Sequence, residues 1–246
     1  MLIDNHMHLD EIPPLGWHLS LESCLQRMEE AGIDCAGIMT ITDWPEVNRG
    51  SLEQLAQVCL DSGGRFYPYA RFHPWYLDEI LPELDRVFGE LKFKGIKLHP
   101  VTTITHPAAE VSIRLMRAAG EHGAPVLFHC GDEPMTTPLA VAAAARACPD
   151  TTVILGHMGG YFHVNEAIEV AERLDNIVLE TSAMPYPIAI ADAVRRIGAG
   201  RVLFGSDGPA CSPRLELEKV RLAELEPVDE ALVLGGNTAR LLEGVS

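Results

Sequence analysis

Short runs of β-branched and apolar residues alternate along this chain with longer segments whose apolar positions recur at helical spacing. The runs predict strands at Leu2–His8, Asp34–Ile41, Arg65–Phe72, Gly95–His99, Pro125–His129, Thr152–His157, Ile177–Thr181 and Val202–Ser206. Between them, Leu21, Leu25 and Met28, then Leu52, Leu55, Ala56 and Cys59, then Val111, Leu115, Ala118 and Ala119 each mark one face of a helix. Pro82, Pro138 and Pro187 are expected near helix starts, where a missing N–H does no harm. Successive runs end about thirty residues apart, the span of a strand–helix–strand unit. Eight such units in strict alternation predict an α/β fold, a single (β/α)8 TIM barrel over residues 1–246. An open doubly wound sheet is the weaker expectation, because no GxGxxG follows the first run.

Composition narrows the class. With 47% hydrophobic and 22% charged residues the chain is neither disordered, collagenous nor a coiled coil. The charge sum of −16 repels phosphate backbones, and without a Lys/Arg cluster no nucleic-acid partner is expected. Six cysteines lie far apart with no CxxC pair, which suits reduced thiols in the cytoplasm better than a disulfide framework. No secretory signal pattern opens the sequence, and the most apolar later stretch, Leu139–Ala147, is far shorter than the roughly twenty residues a membrane span needs. A cytoplasmic protein acting on a small molecule, with no membrane partner, is therefore expected. No sequence feature marks or excludes a homo-oligomer.

The strand ends carry the candidate chemistry. The first run ends in His6-Met7-His8, and residues i and i+2 of a strand share a face, so both imidazoles are expected inside the barrel mouth. The fifth run ends at His129, the sixth at His157, and the eighth just before Asp207, each followed by a glycine-containing turn. In a barrel these ends converge on the C-terminal face, where active sites form. Imidazole and carboxylate donors without a thiolate suit a divalent metal, zinc first, with manganese, iron or nickel compatible. His18, His106, His122 and His163 fall in helices or loops and are expected to face solvent. Lys97 should point inward with His99. There it could be carboxylated to a carbamate bridging two metals, stay cationic and hold an anionic substrate, or pair with Asp4 or another barrel acid. Arg71, followed one alternation on by His73, ends the third run and could grip a substrate carboxylate or form a rim ion pair. Trp17, Trp44, Trp75 and Tyr186 fall in the loops after strands one, two, three and seven, where they could wall a pocket or cap the barrel top.

Ile-Asp-Asn-His-Met-His at strand one, Gly-Ile-Lys-Leu-His-Pro at strand four, His129, Gly-His-Met-Gly-Gly at strand six and Gly-Ser-Asp-Gly-Pro at strand eight together resemble the amidohydrolase superfamily of metal-dependent hydrolases. Gly236-Asn237-Thr238-Ala239-Arg240-Leu241-Leu242 is similar to the C-terminal helix of its amidohydrolase-related subgroup. The resemblance implies that His6, His8, His129, His157 and Asp207 surround the metal. Strand four is similar to the Lys-Leu-Tyr-Pro segment of dihydroorotases, whose lysine is the carboxylated bridge, so Lys97 is the matching metal ligand; His99 replaces the tyrosine and is a candidate for substrate binding, as is Arg71. Members with one metal lack the carbamate, and in them the strand-six histidine acts as a catalytic group. The count of one ion or two stays open. A branch of deoxyribonucleases shares the HxH opening but places a glutamate where this chain has Lys97.

The resemblance implies metal-dependent hydrolysis of a small amide, cyclic amide or lactone, with metal-activated water as nucleophile. Asp207 would act as general base and then acid, and His157 would bind metal or stabilise the oxyanion. Relatives in the same subgroup suggest a second reaction, metal-dependent decarboxylation of a small unsaturated or aromatic acid.

Overall fold

A computed structural model describes residues 1–12 and 17–245, apart from the side chains of residues 11, 12, 17 and 18. Strands form where the β-branched runs fall: β1 (Ile3–His8), β2 (Cys35–Met39), β3 (Phe66–Pro68 and, beyond Tyr69, Ala70–Arg71), β4 (Ile96–Leu98), β5 (Val126–His129), β6 (Val153–Gly156), β7 (Ile177–Glu180) and β8 (Val202–Leu203). Each pairs in parallel with the next. The two pieces of β3 divide the work, Phe66–Pro68 pairing with β2 and Ala70–Arg71 with β4. The ring is joined between β8 and β1 by main-chain hydrogen bonds from Asn5 N–H to the Phe204 carbonyl (3.0 Å) and from Asp207 N–H to the His6 carbonyl (2.8 Å). The architecture is the expected α/β TIM barrel.

The helices are α1 (Leu21–Ala31), α2 (Arg49–Asp61), α3 (Leu77–Ile80), α4 (Glu110–Glu121), α5 (Pro138–Ala147), α6 (Val164–Arg173), α7 (Pro187–Ile197), α8 (Pro213–Arg221), α9 (Pro227–Ala231) and α10 (Asn237–Glu243). Ser20 and Asn48 cap α1 and α2 by accepting from the main-chain N–H groups of Ser23 and Ser51. Pro138 and Pro187 open their helices as expected, but Pro82 does not. It sits in a 3₁₀ turn, Leu81–Glu83, that follows α3 directly; lacking an N–H for the Asp78 carbonyl, it changes the pitch of a helical run already under way. The loop expected after β1 instead holds a short antiparallel hairpin, Asp10–Ile12 with Trp17–Leu19. The main chain of Trp17 and His18 is thus strand, and their side chains lie outside the described residues. Among the described residues no helix is long and apolar enough to cross a membrane.

Two apolar layers hold the barrel. Outward-facing strand residues such as Ile38, Phe128, Leu155 and Phe204 pack with the helices, while Ile3, Met39, Tyr67, Tyr69, Leu127, Ile154 and Leu203 fill the inside. The large tyrosines fit because small residues face them: a Cβ on Gly95 would stand 2.3 Å from the Tyr69 ring. A β-bulge in β1 shapes the site above this layer. The register passes from Asp4 opposite Ala36 to Met7 opposite Ile38, so β1 carries one residue more than β2 in that interval. Asn5 accepts hydrogen bonds from the hydroxyls of Tyr67 (3.2 Å) and Tyr69 (3.0 Å), and His6 beside it also turns inward. Strict alternation would have sent these neighbours to opposite faces.

Candidate metal centre

The strand ends bring His6, His8 and Asp207 together. His8 Nε2 lies 3.0 Å and His6 Nε2 3.5 Å from Asp207 Oδ1, and the three donor atoms fall within 4.8 Å of one another. Lys97, 1% exposed in the middle of β4, places Nζ 3.0 Å from His6 Nε2. It does not pair with Asp4, whose carboxylate instead accepts from the main-chain N–H groups of His6 (3.0 Å) and Ser206 (2.9 Å) and from the Ser206 hydroxyl. His129 and His157 complete the cluster, with Nδ1 of the first 3.0 Å from Nε2 of the second. His157 and Asp207 both hold left-handed backbone, φ 66° and 59°, a conformation uncommon for residues with a side chain and concentrated at functional turns.

Three polar residues that the strand-end histidines did not reveal complete the arrangement. Glu180 ends β7 wholly buried and accepts from His6 Nδ1 (3.0 Å), the Ser182 N–H (2.7 Å), the Ser182 hydroxyl (2.9 Å) and the His157 N–H (3.3 Å). Ser182 in turn lies 2.9 Å from His157 Nδ1. Glu133, in the loop after β5, lies 3.2 Å from His129 Nε2. Glu180 was legible by the signal used for His129, an apolar run, Ile-Val-Leu, ending in a polar residue. Glu133 and Ser182 follow no such run and carry no comparable signal.

These contacts assign protons. An ionised carboxylate can only accept, so His6 carries its proton on Nδ1 toward Glu180 and turns the Nε2 lone pair to the centre. That lone pair then faces Asp207 Oδ1 at 3.5 Å and Lys97 Nζ at 3.0 Å, a place suited to positive charge, which the Lys97 amine supplies in the metal-free chain. His6, His8, Asp207 therefore fit a divalent ion by donor chemistry. A second set, His6, His157 and Glu180, also meets the spacing, but Glu180 is already occupied by its four donors.

Electrostatics agree. Burial pushes His6, His8 and His157 below the usual imidazole range, keeping them neutral, the form in which imidazole binds metal. Burial would raise Asp207, but the hydrogen bond with His8 and the neighbouring imidazoles hold it well below the carboxylate range. Glu133 is held down by its hydrogen bond with His129. Burial lowers the Lys97 ammonium to about 7. His99 stacks on His129 with ring centroids 4.1 Å apart and planes 12° apart, and burial, then the charge of His129, pushes it down to about 2.

Arg71 is placed otherwise than a free substrate anchor requires. It forms a two-pronged ion pair with Asp43, Nε to Oδ1 and Nη2 to Oδ2, both 2.7 Å. Trp44 and Tyr186 lie exposed in the loops where they were expected, while Trp75, also exposed, sits in a 3₁₀ turn, Pro74–Tyr76, and not in a loop. His106 is exposed, and His122 and His163 are half-buried. A cleft of about 730 Å³ opens between the hairpin after β1 and α2, walled by Leu9, Leu19, Thr40, Trp44, Gln54 and Leu55 among others and by none of the clustered histidines or Asp207.

A family model described as amidohydrolase matches residues 3–244. No curated protein matches the chain. Among solved structures it is similar to 2,6-dihydroxybenzoate decarboxylase from Rhizobium, with a TM-score of 0.79 and 16% identity over 98% of each chain. An uncharacterised TIM-barrel protein from Bordetella bronchiseptica aligns with a TM-score of 0.81 and 22% identity over 99% of this chain and 98% of that one. A dihydroxybenzoic acid decarboxylase from a Polaromonas species, solved with bound manganese and the inhibitor 2-nitroresorcinol, aligns with a TM-score of 0.78 and 16% identity over 98% and 96%. At these identities the likeness establishes the barrel. The comparisons also correct the expectation of hydrolysis: the two neighbours of stated activity are decarboxylases, which favours the second reaction considered above. Barrel and metal donors are compatible with both reactions, so the strand-end motifs could not separate them.

Proposed function

The chain belongs to the amidohydrolase family, and on that premise we propose that it is a metal-dependent decarboxylase of a small aromatic or unsaturated carboxylic acid. The observation that carries the metal is the convergence of the His6, His8 and Asp207 donor atoms, all within 4.8 Å of one another at the barrel mouth. The activities stated for the Rhizobium and Polaromonas neighbours supply the choice of reaction. One ion fits better than two, because Glu180 is occupied by the groups it orients. Two imidazoles and a carboxylate suit zinc or manganese, and the manganese in the Polaromonas neighbour makes that ion the first to load.

When bound, the ion would hold the acid and draw electron density from its oxygens. Decarboxylation exchanges a carbon–carboxylate bond for a carbon–hydrogen bond, so a proton must reach the carbon as carbon dioxide leaves. Asp207, ionised at rest, is the group placed to take up a proton and pass it to the carbon, since its side chain is 24% exposed whereas His6 and Glu180 beside it are sealed. His8 steadies it through the Nε2 contact. Glu180 and Ser182 fix the rings of His6 and His157, while Glu133 fixes His129. The His99 and His129 stack offers a flat wall against which a planar acid can lie. Lys97 keeps its amine in this reading and supplies positive charge at the floor of the site.

The test loads the purified protein with manganese or zinc and measures carbon dioxide release from a panel of hydroxybenzoates and unsaturated acids. Release by the loaded enzyme, lost together with bound metal in His6→Ala and Asp207→Asn, is the expected result. No release from any acid, or release that survives both substitutions, overturns the proposal.

A further inference from the structure

Arg71 stands at the end of β3 directly beside Lys97 of β4 in the sheet register, and Lys97 faces the centre. That register turns Arg71 to the same face of the sheet as Lys97, toward the inside of the barrel. A guanidinium there would ordinarily offer a two-pronged grip to a carboxylate. Here that grip is filled from within the chain. Nε and Nη2 bind the two oxygens of Asp43 at 2.7 Å each, Nη1 donates to the Thr40 carbonyl at 3.2 Å, and Nη2 also reaches the Thr102 hydroxyl at 3.4 Å. Four of the five N–H groups of the guanidinium are thereby engaged. Thr102 donates its hydroxyl to Asp43, which ties the pair to the loop after β4 as well. The side chains of Arg71 and Asp43 are 2% and 5% exposed, so solvent does not loosen the pair.

We infer that Asp43 is a specificity-determining residue: by occupying Arg71 it removes the anchor for a second carboxylate and restricts the site to acids carrying one. An acid with two carboxylates would bring its second negative charge against Asp43, and no free fork remains to receive it. Breaking the Arg71–Asp43 pair to make room would leave a buried charge unpaired, which is costly. The inference rests on the proposed decarboxylase reading, and it goes further by naming the charge class of the substrate.

Calorimetric binding of benzoate and of benzene-1,3-dicarboxylate to the manganese-loaded protein tests it, at physiological salt so that the −16 net charge is screened. The wild type is expected to bind benzoate at least about tenfold more tightly than the dicarboxylate. Asp43→Asn, which keeps the shape and removes the charge, is expected to shift this ratio about tenfold or more toward the dicarboxylate. Adding Arg71→Met to that variant should abolish the shift. An unchanged ratio in folded Asp43→Asn, or a shift that persists without Arg71, overturns the inference while the enzyme reading stands. The wild-type ratio decides without any variant, since equal or tighter binding of the dicarboxylate also overturns it. Binding of neither acid overturns the acid-binding reading and the inference with it.

Discussion

Gly205 is the position where one methyl group should disable the site. It lies two residues past β8 and its backbone is outside the left-handed region, so alanine is not excluded by φ. A Cβ there would stand 2.1 Å from Glu180 Oε1, 2.6 Å from its Cδ and 3.0 Å from His6 Cβ. Glu180 cannot simply swing aside, because it is held by His6 Nδ1, both donors of Ser182 and the His157 N–H. Overpacking in a filled interior costs about 1–3 kcal/mol. Each hydrogen bond lost from a charged group adds about 1.5–3 kcal/mol. With one such bond broken, Gly205→Ala should lose about 2.5–6 kcal/mol in the metal-free protein. Freed from Glu180, His6 loses its fixed tautomer, and metal affinity should fall about 10- to 100-fold. Urea unfolding followed by circular dichroism reads the first effect and calorimetric metal titration the second. Gly89→Ala is the control: nothing lies within 4 Å of its added methyl, and it sits in a helical run, so stability should hold or rise by about 0.5–1 kcal/mol. If Gly205→Ala unfolds within about 0.5 kcal/mol of wild type and binds metal equally well, the described seating of Glu180 is wrong.

Glu180→Gln keeps the shape but not the charge, so metal affinity should drop about 10- to 100-fold with little change in the circular dichroism spectrum; unaltered affinity would remove Glu180 from the site. Asn237 donates from its buried amide to the carbonyls of Ala199 (2.7 Å) and Val202 (2.8 Å), and Asn237→Ala should cost about 2–3 kcal/mol in urea unfolding by leaving both unpaired. The Lys97 ammonium titrates at about 7 in the folded chain and at 10.5 ordinarily, so above pH 7 the unfolded chain binds the extra proton and stability rises with pH. Between pH 7 and 8.5 this should amount to about 1.5–2 kcal/mol in the metal-free protein, read as the difference between wild type and Lys97→Met; parallel pH profiles would contradict it.

The strands were readable from single runs because each is an apolar segment buried on both faces, and β1, β5, β6 and β7 lie within a residue or so of the expected bounds. The gathering of His6, His8, His129, His157 and Asp207 was readable for the same reason, as polar residues ending such runs. What pattern could not supply were features set by other parts of the chain. The extra residue in β1 depends on its pairing with β2, and it decides that Asn5 and His6 both face inward. Whether Arg71 grips substrate or forms an ion pair stayed open in the sequence because its partner, Asp43, lies 28 residues away in an unpatterned loop. Pro82 looked like a helix start because sequence does not show that the chain was already helical at α3. The reaction was hardest of all: hydrolysis and decarboxylation share strand-end donors and differ in what the loops admit.

The bonds between β8 and β1 also govern when the centre can exist. His8 and Asp207 meet across 199 positions, Asp4 and Ser206 across 202. During synthesis, His8 emerges 199 residues before its carboxylate partner, with His6 just ahead of it. Ion capture is thereby deferred until the ring can close, and a ribosome-bound fragment ending before β8 should bind manganese no better than an isolated His-Met-His peptide. Affinity for the ion thus becomes a report on closure of the ring, with β1 and the segment after β8 both required before the centre is assembled.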